Sequence, residues 1–178
     1  MIAWDWRKSW NQKEQLGVKI KIVDHFDIPI WITLSKEYDK YVQEIVSDIT
    51  EWYDGNETSL SFYDYMNSKI NKKEAFMAVD ENSNCCGIVS VSKTNNRITF
   101  FAVSHKCDFE KTGKFLLVHA LSMLDKGERI TANVIKSNAE QIRREYTLLL
   151  QHGFDYVFDG FENGVPVNCM ETKPILAE

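Results

Sequence analysis

The hydrophobic positions near the start of the chain alternate with polar ones. Val18, Ile20 and Ile22 are separated by lysines, and this period of two predicts a β-strand with one buried face. A continuous apolar run follows at residues 28–34. Because Pro29 cannot donate a backbone hydrogen bond to a sheet, we expect this run to form an edge strand or a turn that leads into a helix.

The next apolar positions recur every three or four residues, as on one face of a helix. They predict a first helix over residues 36–52, with Ser35 as its N-cap, and a second helix over residues 61–70, behind Ser59. The apolar face of the first helix contains Tyr38, Tyr41, Val42, Ile45, Ile49 and Trp52. Two amphipathic helices therefore precede the next strands.

Three strands are predicted next, over residues 75–80, 86–92 and 98–103. Short polar turns connect them, so we expect an antiparallel meander. A helix follows the third strand. The remaining elements are a strand over residues 130–135, a helix that opens at Ser137 or Asn138 and ends at Gly153, and two strands over residues 154–159 and 165–172.

The junction between strand 98–103 and the helix after it carries candidate chemistry. We expect residues 106–114 to end the strand and open the helix behind Thr112 and Gly113. The first amides of a helix lack intrahelical partners and lie at the positive end of its dipole, which favours a bound anion such as a pyrophosphate. Three lysines add positive charge there: Lys106, Lys111 and Lys114. In the alternative interpretation, Gly113 only eases the turn and the lysines are ordinary solvated charges.

The length of 178 residues suits one domain, residues 18–178, preceded by an N-terminal arm, residues 1–17. The arm contains Trp4, Trp6 and Trp10, which are too many apolar rings for a free tail. We expect them to dock on the domain or on a second subunit, as in a homodimer.

Composition and charge exclude several classes of protein. No apolar stretch reaches the length of a membrane span and the start does not resemble a signal peptide, so we expect a cytoplasmic protein without membrane partners. The net charge of −5 argues against an extended nucleic-acid-binding face. The four cysteines are too few for a disulfide framework and lack zinc-site spacing, so no metal site is expected.

The strand, loop and helix around residue 108 resemble the signature of the GCN5-related N-acetyltransferases (GNAT), a strand followed by Gln/Arg-x-x-Gly-x-Gly/Ala and a helix. The lead-in Phe101-Ala-Val-Ser104 and the continuation Gly113-Lys-Phe-Leu116 fit that signature. Asp108 stands at the Gln/Arg position and Lys111 at the first Gly position. The order of the predicted elements also matches the family over about residues 18–173.

This resemblance implies an α/β (α+β) fold, with a mixed, mostly antiparallel central sheet of about seven strands flanked by about four helices. It also implies that strands 98–103 and 130–135 splay apart at one end. The pantetheine arm of acetyl-CoA would lie in that gap and pair with exposed backbone as a false strand. The residues implied in acetyl-CoA binding are Phe101, Ala102, Val103, Asp108, Phe109, Glu110, Lys111, Thr112, Gly113, Lys114 and Asn138.

The last helix is where the family places its acid. There a tyrosine hydroxyl protonates the departing CoA thiolate. Counting back from Gly153 and Phe154 sets Leu149 on the usual tyrosine position, so Tyr146, nearly one turn earlier, is the candidate acid. Because a thiol with a pKa of about 8.5 is a fair leaving group, losing the acid would slow the step by roughly 10²–10⁴ rather than abolish it.

The general base is harder to name from the sequence. In the histone-type branch of the family a glutamate on the strand before the loop accepts the proton of the amine, and here Arg97 stands there, which argues against a protein-lysine substrate. His105 and His119 flank the junction, although a single histidine is more often structural. The backbone amides of Phe101 and Val103 would stabilise the oxyanion of the tetrahedral intermediate.

The acceptor side is suggested by charge and by aromatic residues. The segment from Lys36 to Asp64 holds eight acidic residues and two lysines, a net charge of −6. Such a run is either a solvated helix face or a field that attracts a cationic amine. The aromatic residues that either line the acceptor pocket or fill the core are Trp31, Tyr38, Trp52, Phe62, Tyr63, Tyr65 and Phe161.

Two functions follow from these patterns. The first is an N-acetyltransferase that moves an acetyl group from acetyl-CoA to a primary amine, a small molecule or an N-terminus, by direct attack in a ternary complex. The second is a catalytically weak or inactive module of the same fold that binds acyl-CoA or another protein. Four substituted family positions favour the second: Arg97, Asp108, Lys111 and Leu149.

Overall fold

The computed structural model of the chain describes residues 17–45 and 57–175. Within these residues the chain forms one seven-stranded sheet and four α-helices, as the sequence predicts. The strands are β1 (Val18–Ile22), β2 (Ala75–Asp80), β3 (Cys85–Ser92), β4 (Arg97–Val103), β5 (Thr131–Ile135), β6 (Phe154–Glu162) and β7 (Val165–Thr172). The helices are α1 (Ile28–Gln43), α2 (Glu57–Asn71), α3 (Phe109–Ser122) and α4 (Glu140–Gln151).

The strands lie in the order β1-β2-β3-β4-β5-β7-β6. Five of the six neighbouring pairs are antiparallel, and the pair β4–β5 is parallel. The predicted meander β2-β3-β4 is confirmed. A parallel pair requires a crossover, and helix α3 supplies it between β4 and β5.

Each face of the sheet has its own hydrophobic core, because successive side chains of a strand point to opposite faces. On one face helices α1 and α2 cover Ala75, Met77, Ile88 and Ala102. On the other face helices α3 and α4 cover a larger set that includes Phe76, Ala78, Val89, Val103 and Phe154. The sheet therefore separates two helix pairs, and only a gap in the sheet can connect them.

The prediction for residues 28–34 was wrong, because they form the first two turns of α1. Pro29 lies in the first turn of this helix, where its missing N–H has no intrahelical acceptor in any case. A 3₁₀ turn at His25–Asp27, closed by a capping box between Asp24 and Asp27, leads into it. The predicted N-cap Ser35 is buried inside α1 and donates its hydroxyl to the Trp31 carbonyl at 2.9 Å.

Two further helix starts differ from the sequence prediction. Helix α2 begins at Glu57, so Ser59 lies within the helix and is not its N-cap. Helix α4 begins one or two residues later than expected, with Ala139 as N-cap and without a side-chain cap. Ser137 instead accepts a hydrogen bond from the Ala139 amide at 3.1 Å. The predicted C-terminus is confirmed, since Gly153 follows α4 with φ of 86°.

The tryptophans of the arm and Trp52 lie outside the described residues. The prediction that the first helix reaches residue 52 was wrong, because a turn at residues 44–45 follows its last residue. Helix α1 ends at Gln43. None of the helices in the described part of the chain combines the length and the apolar character that crossing a bilayer requires.

Candidate active site

Strands β4 and β5 pair at one end only. Arg97 lies opposite Thr131, and this is the single register position that the two strands share. Because the strands are parallel, they separate from that point toward Val103 and Ile135. The splay predicted for this strand pair is confirmed.

A β-bulge in β4 explains why this strand turns away from β5. Ser90 lies opposite Phe100 and Val91 lies opposite Ile98, which leaves Thr99 as an extra residue on β4. Bulges bend a strand and increase its local twist. The Thr99 hydroxyl accepts a hydrogen bond from Tyr65 at 2.9 Å, which holds the bulge against helix α2.

The closed end of the strand pair is fixed by Asn96. Its side-chain amide donates to the carbonyls of Asp125 at 2.8 Å and Arg129 at 3.0 Å. The backbone carbonyl of Asn96 accepts from the Thr131 amide at 3.1 Å. These bonds tie the starts of β4 and β5 together, so the gap can open only toward the other end.

The open end presents backbone groups of β4. The Ser104 amide donates to the Cys86 carbonyl at 2.9 Å, so by the alternation of a strand the Ala102 groups also face β3. The amides and carbonyls of Phe101 and Val103 consequently face the gap. The Val103 carbonyl accepts a hydrogen bond from the Gln141 side chain on α4 at 2.9 Å.

A cavity of about 220 Å³ occupies this gap. Its walls come from α1, α4, β4, β5 and the β6–β7 hairpin. Most of the lining is apolar, and four acidic or basic side chains reach it: Asp39, Arg97, Glu145 and Glu162. A mostly apolar cavity with a few convergent polar groups is typical of a ligand site.

Tyr38 and Glu145 meet inside the gap. The Tyr38 hydroxyl on α1 donates a short hydrogen bond to Glu145 Oε2 on α4, so the bond runs from one face of the sheet to the other. Tyr38 packs against both hydrophobic cores, which is possible only where the sheet is open. Glu145 is 5% exposed.

Burial dominates the electrostatics of this pair. It raises the pKa of the Glu145 carboxyl to about 8, while the hydrogen bond from Tyr38 opposes that rise. Burial and the neighbouring Glu145 together hold the pKa of Tyr38 well above its usual range. Near neutral pH the carboxyl can therefore gain or lose a proton, whereas the phenol stays neutral.

Glu162 occupies the closed end of the cavity. Its Oε2 accepts hydrogen bonds from Arg97 Nη2 at 3.0 Å and from Asn133 Nδ2 at 2.7 Å. Arg97 belongs to β4 and Asn133 to β5, so the Glu162 carboxylate connects the two strands close to the position where Arg97 pairs with Thr131. The charge of Glu162 is thus already matched by a cation.

The N-terminus of α3 differs from the prediction in its position. Asp108 is the N-cap and its carboxylate accepts from the Lys111 amide at 3.1 Å. The Thr112 amide donates to the Asp108 carbonyl at 3.0 Å, so the helix is already formed there. The predicted junction 106–114 is therefore shorter, and Thr112, Gly113 and Lys114 belong to the helix because Asp108 is a strong N-cap.

Gly113 serves packing and not a turn. It lies in α3 outside the positive-φ region. A Cβ at this position would lie 3.1 Å from Leu148 Cδ2 and 3.5 Å from the Phe101 ring. The glycine therefore permits close approach of α3 to α4 and β4. This overturns the interpretation in which Gly113 eases the strand-to-helix turn.

The charges around the α3 N-terminus are mixed. Three lysines are exposed there: Lys106, Lys111 and Lys114. The exposed side chains of Asp108 and Glu110 offset them, and Lys111 Nζ lies 4.0 Å from Asp108. The amides of Phe109 and Glu110, in the first turn, have no carbonyl partner within the helix. Phe109 itself is buried against the Phe101 ring.

The candidate acid Tyr146 lies apart from the cavity. It is half-buried and packs against the core under α4, whereas Leu149 and Glu145 are the α4 residues that line the cavity. Leu149 thus occupies the place that the family alignment assigned to a tyrosine. Asn138 is exposed, just before the N-cap of α4.

Most of the remaining candidates have structural roles. The Trp31 ring is fully buried, 5.6 Å from the Phe100 ring. The His119 ring packs 4.5 Å from the Phe76 ring, and His105 lies 2.9 Å from Glu37. Phe161 is exposed, as is Tyr63. Within residues 17–45 and 57–175, no group of three His, Cys, Asp or Glu side chains could hold a metal ion.

Glu145 is the functional candidate that the sequence analysis missed. The signal was present: Glu145 lies three residues after Ile142 and four before Leu149, on the apolar face of α4. A carboxylate on the buried face of an amphipathic helix requires either a partner or a function. Its partner, Tyr38, is 107 residues away in the sequence, so only the fold brings the two together.

Comparison with solved structures identifies the fold. The chain is similar to a GNAT-family acetyltransferase from Streptococcus agalactiae, with a TM-score of 0.59 and 14% identity over 89% of this chain and 96% of the other. It is similar to spermidine N-acetyltransferase from Vibrio cholerae in complex with CoA and spermine, with a TM-score of 0.54 and 14% identity over 87% and 94%.

A third structure, yncA from Salmonella typhimurium with its cofactor acetyl-CoA, has a TM-score of 0.57 and 15% identity over 89% and 95% of the two chains. No family model matches the sequence, and no curated protein matches it. At these identities the likeness concerns the fold. The chain has the fold of the GNAT acetyltransferases, and the fold that the family resemblance implied is confirmed.

Proposed function

We propose that the protein is an acetyl-CoA-dependent N-acetyltransferase that acts on a primary amine. The observation that carries this proposal is the gap between β4 and β5, which is closed at Arg97 and Thr131 and open at Val103. Backbone groups of Phe101 and Val103 face this gap. A gap of this kind accommodates an extended amide-containing arm, which pairs with the backbone as an added strand would.

The residues around the gap fit the two parts of acetyl-CoA unequally. The pantetheine arm would pair with Phe101 and Val103, beside the Gln141 side chain. The diphosphate would lie at the N-terminus of α3, on the amides of Phe109 and Glu110. There the Asp108 carboxylate already holds the Lys111 amide and repels an anion. The arm therefore fits well, and the diphosphate fits only if Asp108 turns away.

Further predicted residues extend this proposed site. Lys111 and Lys114 would add positive charge near the diphosphate, and Asn138 would lie beside the arm at the start of α4. Ala102 and Gly113 contribute no polar group, and they shape the strand and the helix packing instead. Bound acetyl-CoA supplies an activated acyl thioester. The chain supplies the oxyanion donors, the amides of Phe101 and Val103.

The acceptor is proposed to be an amine because of the charges that line the cavity. Three carboxyl groups reach it, from Asp39, Glu145 and Glu162, against the single guanidinium of Arg97, and Glu145 is only partly charged near neutral pH because its pKa is about 8. An excess of carboxylates raises the local concentration of cations and speeds their approach. The similar V. cholerae enzyme is a spermidine N-acetyltransferase with bound spermine, which makes polyamines the first acceptors to test.

A second function is favoured by a specific observation. The Asp108 carboxylate occupies the N-terminus of α3, and Leu149 replaces a hydroxyl donor in the cavity. A module that binds acyl-CoA weakly or only contacts another protein would tolerate both. Exposed rings on the edge strand β6, Phe158 and Phe161, are compatible with a protein partner or a homodimer.

Two measurements test the proposed function. Calorimetric titration with acetyl-CoA should detect binding, and saturation at about 100 times Kd should add roughly 2.7 kcal/mol to the free energy of unfolding. A panel of amines, including spermidine and spermine, should then release free thiol from acetyl-CoA. Binding without thiol release would favour the second function, and the absence of binding would contradict both an enzyme and an acyl-CoA module.

We also propose a cytoplasmic location. All four cysteines are free thiols, and proteins of reducing compartments keep their cysteines in this state. Imaging of a tagged full-length chain tests this proposal.

A further inference from the structure

We infer that Glu145 is the general base of the acetyl transfer and that Tyr38 positions it, an inference that rests on the proposed function. Three observations carry it: the place of the carboxyl in the cavity, its isolation from cations, and its hydrogen bond through the sheet. None of them follows from the family resemblance, whose marked positions lie on β4, at the N-terminus of α3 and at residues 138 and 149.

The position of Glu145 is suited to proton transfer. Its side chain lines the cavity between the splayed strands, one turn of α4 before Leu149. Phe101, whose backbone faces the gap, lines the same cavity from β4. An amine that attacks a thioester held on β4 would therefore have the Glu145 carboxyl on its α4 side.

The Glu162 carboxylate is less suited to this role. The Glu162 carboxylate is already engaged, because it accepts hydrogen bonds from Arg97 and Asn133. Among the described residues Glu145 forms no salt bridge, and its hydrogen bond is with Tyr38. The titratable groups that reach the cavity from the other elements are Tyr38 and Asp39 on α1, Arg97 on β4 and Glu162 on β6.

A buried carboxylate without a cation binds a proton firmly. Burial raises the pKa of Glu145 to about 8, between the usual carboxyl range and that of an alkyl ammonium group, about 10.4. A base whose pKa lies near the working pH both accepts a proton and gives it up again. Glu145 can therefore do so within one turnover.

The proton balance of the reaction requires no further acid. The lone pair of the neutral amine forms the N–C bond to the thioester carbonyl carbon, and the carbonyl oxygen becomes an oxyanion. The amine proton passes to the Glu145 carboxylate. The C–S bond breaks as the carbonyl re-forms, the electron pair leaves on sulfur, and the Glu145 carboxyl returns its proton to the thiolate. Leu149 is then tolerated at the tyrosine position.

Tyr38 acts on Glu145 and not on the substrate. Its hydroxyl donates to the carboxylate, which stabilises the charged form and fixes the side chain across the gap. Removing the hydroxyl would therefore leave a base that binds its proton more firmly. A higher pKa of Glu145 in Tyr38→Phe would therefore distinguish this positioning role from a purely structural one.

The test is the pH dependence of amine-dependent thiol release by the full chain, from pH 5.5 to 9.5, with acetyl-CoA and the best amine of the panel. The variants are Glu145→Gln and Tyr38→Phe, with Glu171→Gln and Tyr41→Phe as matched controls outside the cavity. The activity of the wild type should rise with pH as a group with a pKa of about 8 loses its proton.

Glu145→Gln should lower kcat by about 10²-fold or more and remove this titration, with KM for acetyl-CoA changed by less than about threefold. Tyr38→Phe should shift the titration to higher pH by roughly one unit. Both controls should retain the wild-type profile. Ionisation of the acceptor amine affects all variants equally and therefore cancels in the comparison.

Three results would overturn the inference. If the wild type turns over and Glu145→Gln keeps kcat within about threefold, Glu145 is not the base, and the proposed function stands. If Tyr38→Phe folds, as judged by circular dichroism, and leaves the titration in place, the role of Tyr38 is excluded. A wild type that binds acetyl-CoA but acetylates no amine overturns both the inference and the proposed enzyme.

Discussion

The hydroxyl of Tyr38 and the carboxyl of Glu145 meet through an opening in the sheet, although they belong to helices on opposite faces. The opening exists because β4 and β5 share one register position, Arg97 with Thr131, and then diverge. The bulge at Thr99 bends β4 away from its neighbour. A local backbone irregularity thus creates the cavity and brings a proton acceptor into it.

The burial of Glu145 predicts a pH-dependent stability. Its pKa is raised from 4.5 to about 8 in the folded protein, so between these values the folded state binds more protons than the unfolded state. Stability from this group is therefore present at low pH and is lost as pH rises toward about 8. Replacement by Gln, which stays neutral, should stabilise the protein by a few kcal/mol at pH 8 and by little at pH 5.

Thermal unfolding of Glu145→Gln and the wild type at the two pH values measures this effect. The control is Glu171→Gln, whose carboxylate lies on β7 in an ion pair with Arg129. Its difference in melting temperature from the wild type should be the same at both pH values. If Glu145→Gln and Glu171→Gln changed the melting temperature equally at both pH values, the prediction would be wrong, because ionisation of Glu145 would then not lower the free energy of unfolding.

Asp108 should weaken the binding of acetyl-CoA. Its carboxylate lies at the N-terminus of α3, where a diphosphate would bind. Asn is about as good an N-cap as Asp, so Asp108→Asn keeps the helix start while it removes the negative charge. We expect a lower Kd for acetyl-CoA, by about threefold to tenfold, with the larger gain at low ionic strength.

Calorimetric titration at two salt concentrations measures this change. The control is Asp155→Asn, on the edge strand β6, which should leave Kd unchanged. Weaker binding by Asp108→Asn would contradict this prediction and would mean that the carboxylate supports the diphosphate site.

The close approach of β3 and β4 depends on Gly87. A Cβ there would lie 2.7 Å from the Ala102 carbonyl oxygen and 2.8 Å from Leu116 Cδ1. Because one of these atoms is backbone, Gly87→Ala must displace β4 or α3, and we expect a loss of about 2 kcal/mol in unfolding free energy. Urea denaturation measures it. Gly127→Ala, where the nearest atom is a side-chain oxygen of Asp125 at 3.2 Å, should change stability by less than about 0.5 kcal/mol.

The elements that follow a clear period were predicted well from the sequence. The meander β2-β3-β4 and the order of all elements are as expected, because alternating or helical apolar positions determine which face is buried. The start of α1 was missed because Pro29 fits the first turn of a helix as well as an edge strand. Local signals could not separate these two arrangements, and packing of Trp31 against the sheet decides between them.

The candidate site was only partly predictable. The splay of β4 from β5 was predicted from the family resemblance. The same resemblance predicted that backbone groups of Phe101 and Val103 are exposed in the gap. Glu145 was not predicted, because its role depends on a contact with Tyr38, which lies in a distant part of the chain. The capping role of Asp108 was visible in principle, since an aspartate three residues before a helical Lys111 is a typical N-cap.

Residue-resolved amide hydrogen exchange by NMR, with and without saturating acetyl-CoA, tests the central claim most directly. The amides of Phe101 and Val103 face the gap and should exchange more slowly when the pantetheine arm pairs with them. The amides of Ala102 and Ser104 face β3 and serve as internal controls with unchanged exchange. Unchanged exchange at Phe101 and Val103 in the presence of saturating acetyl-CoA would contradict the proposed binding of the donor between β4 and β5.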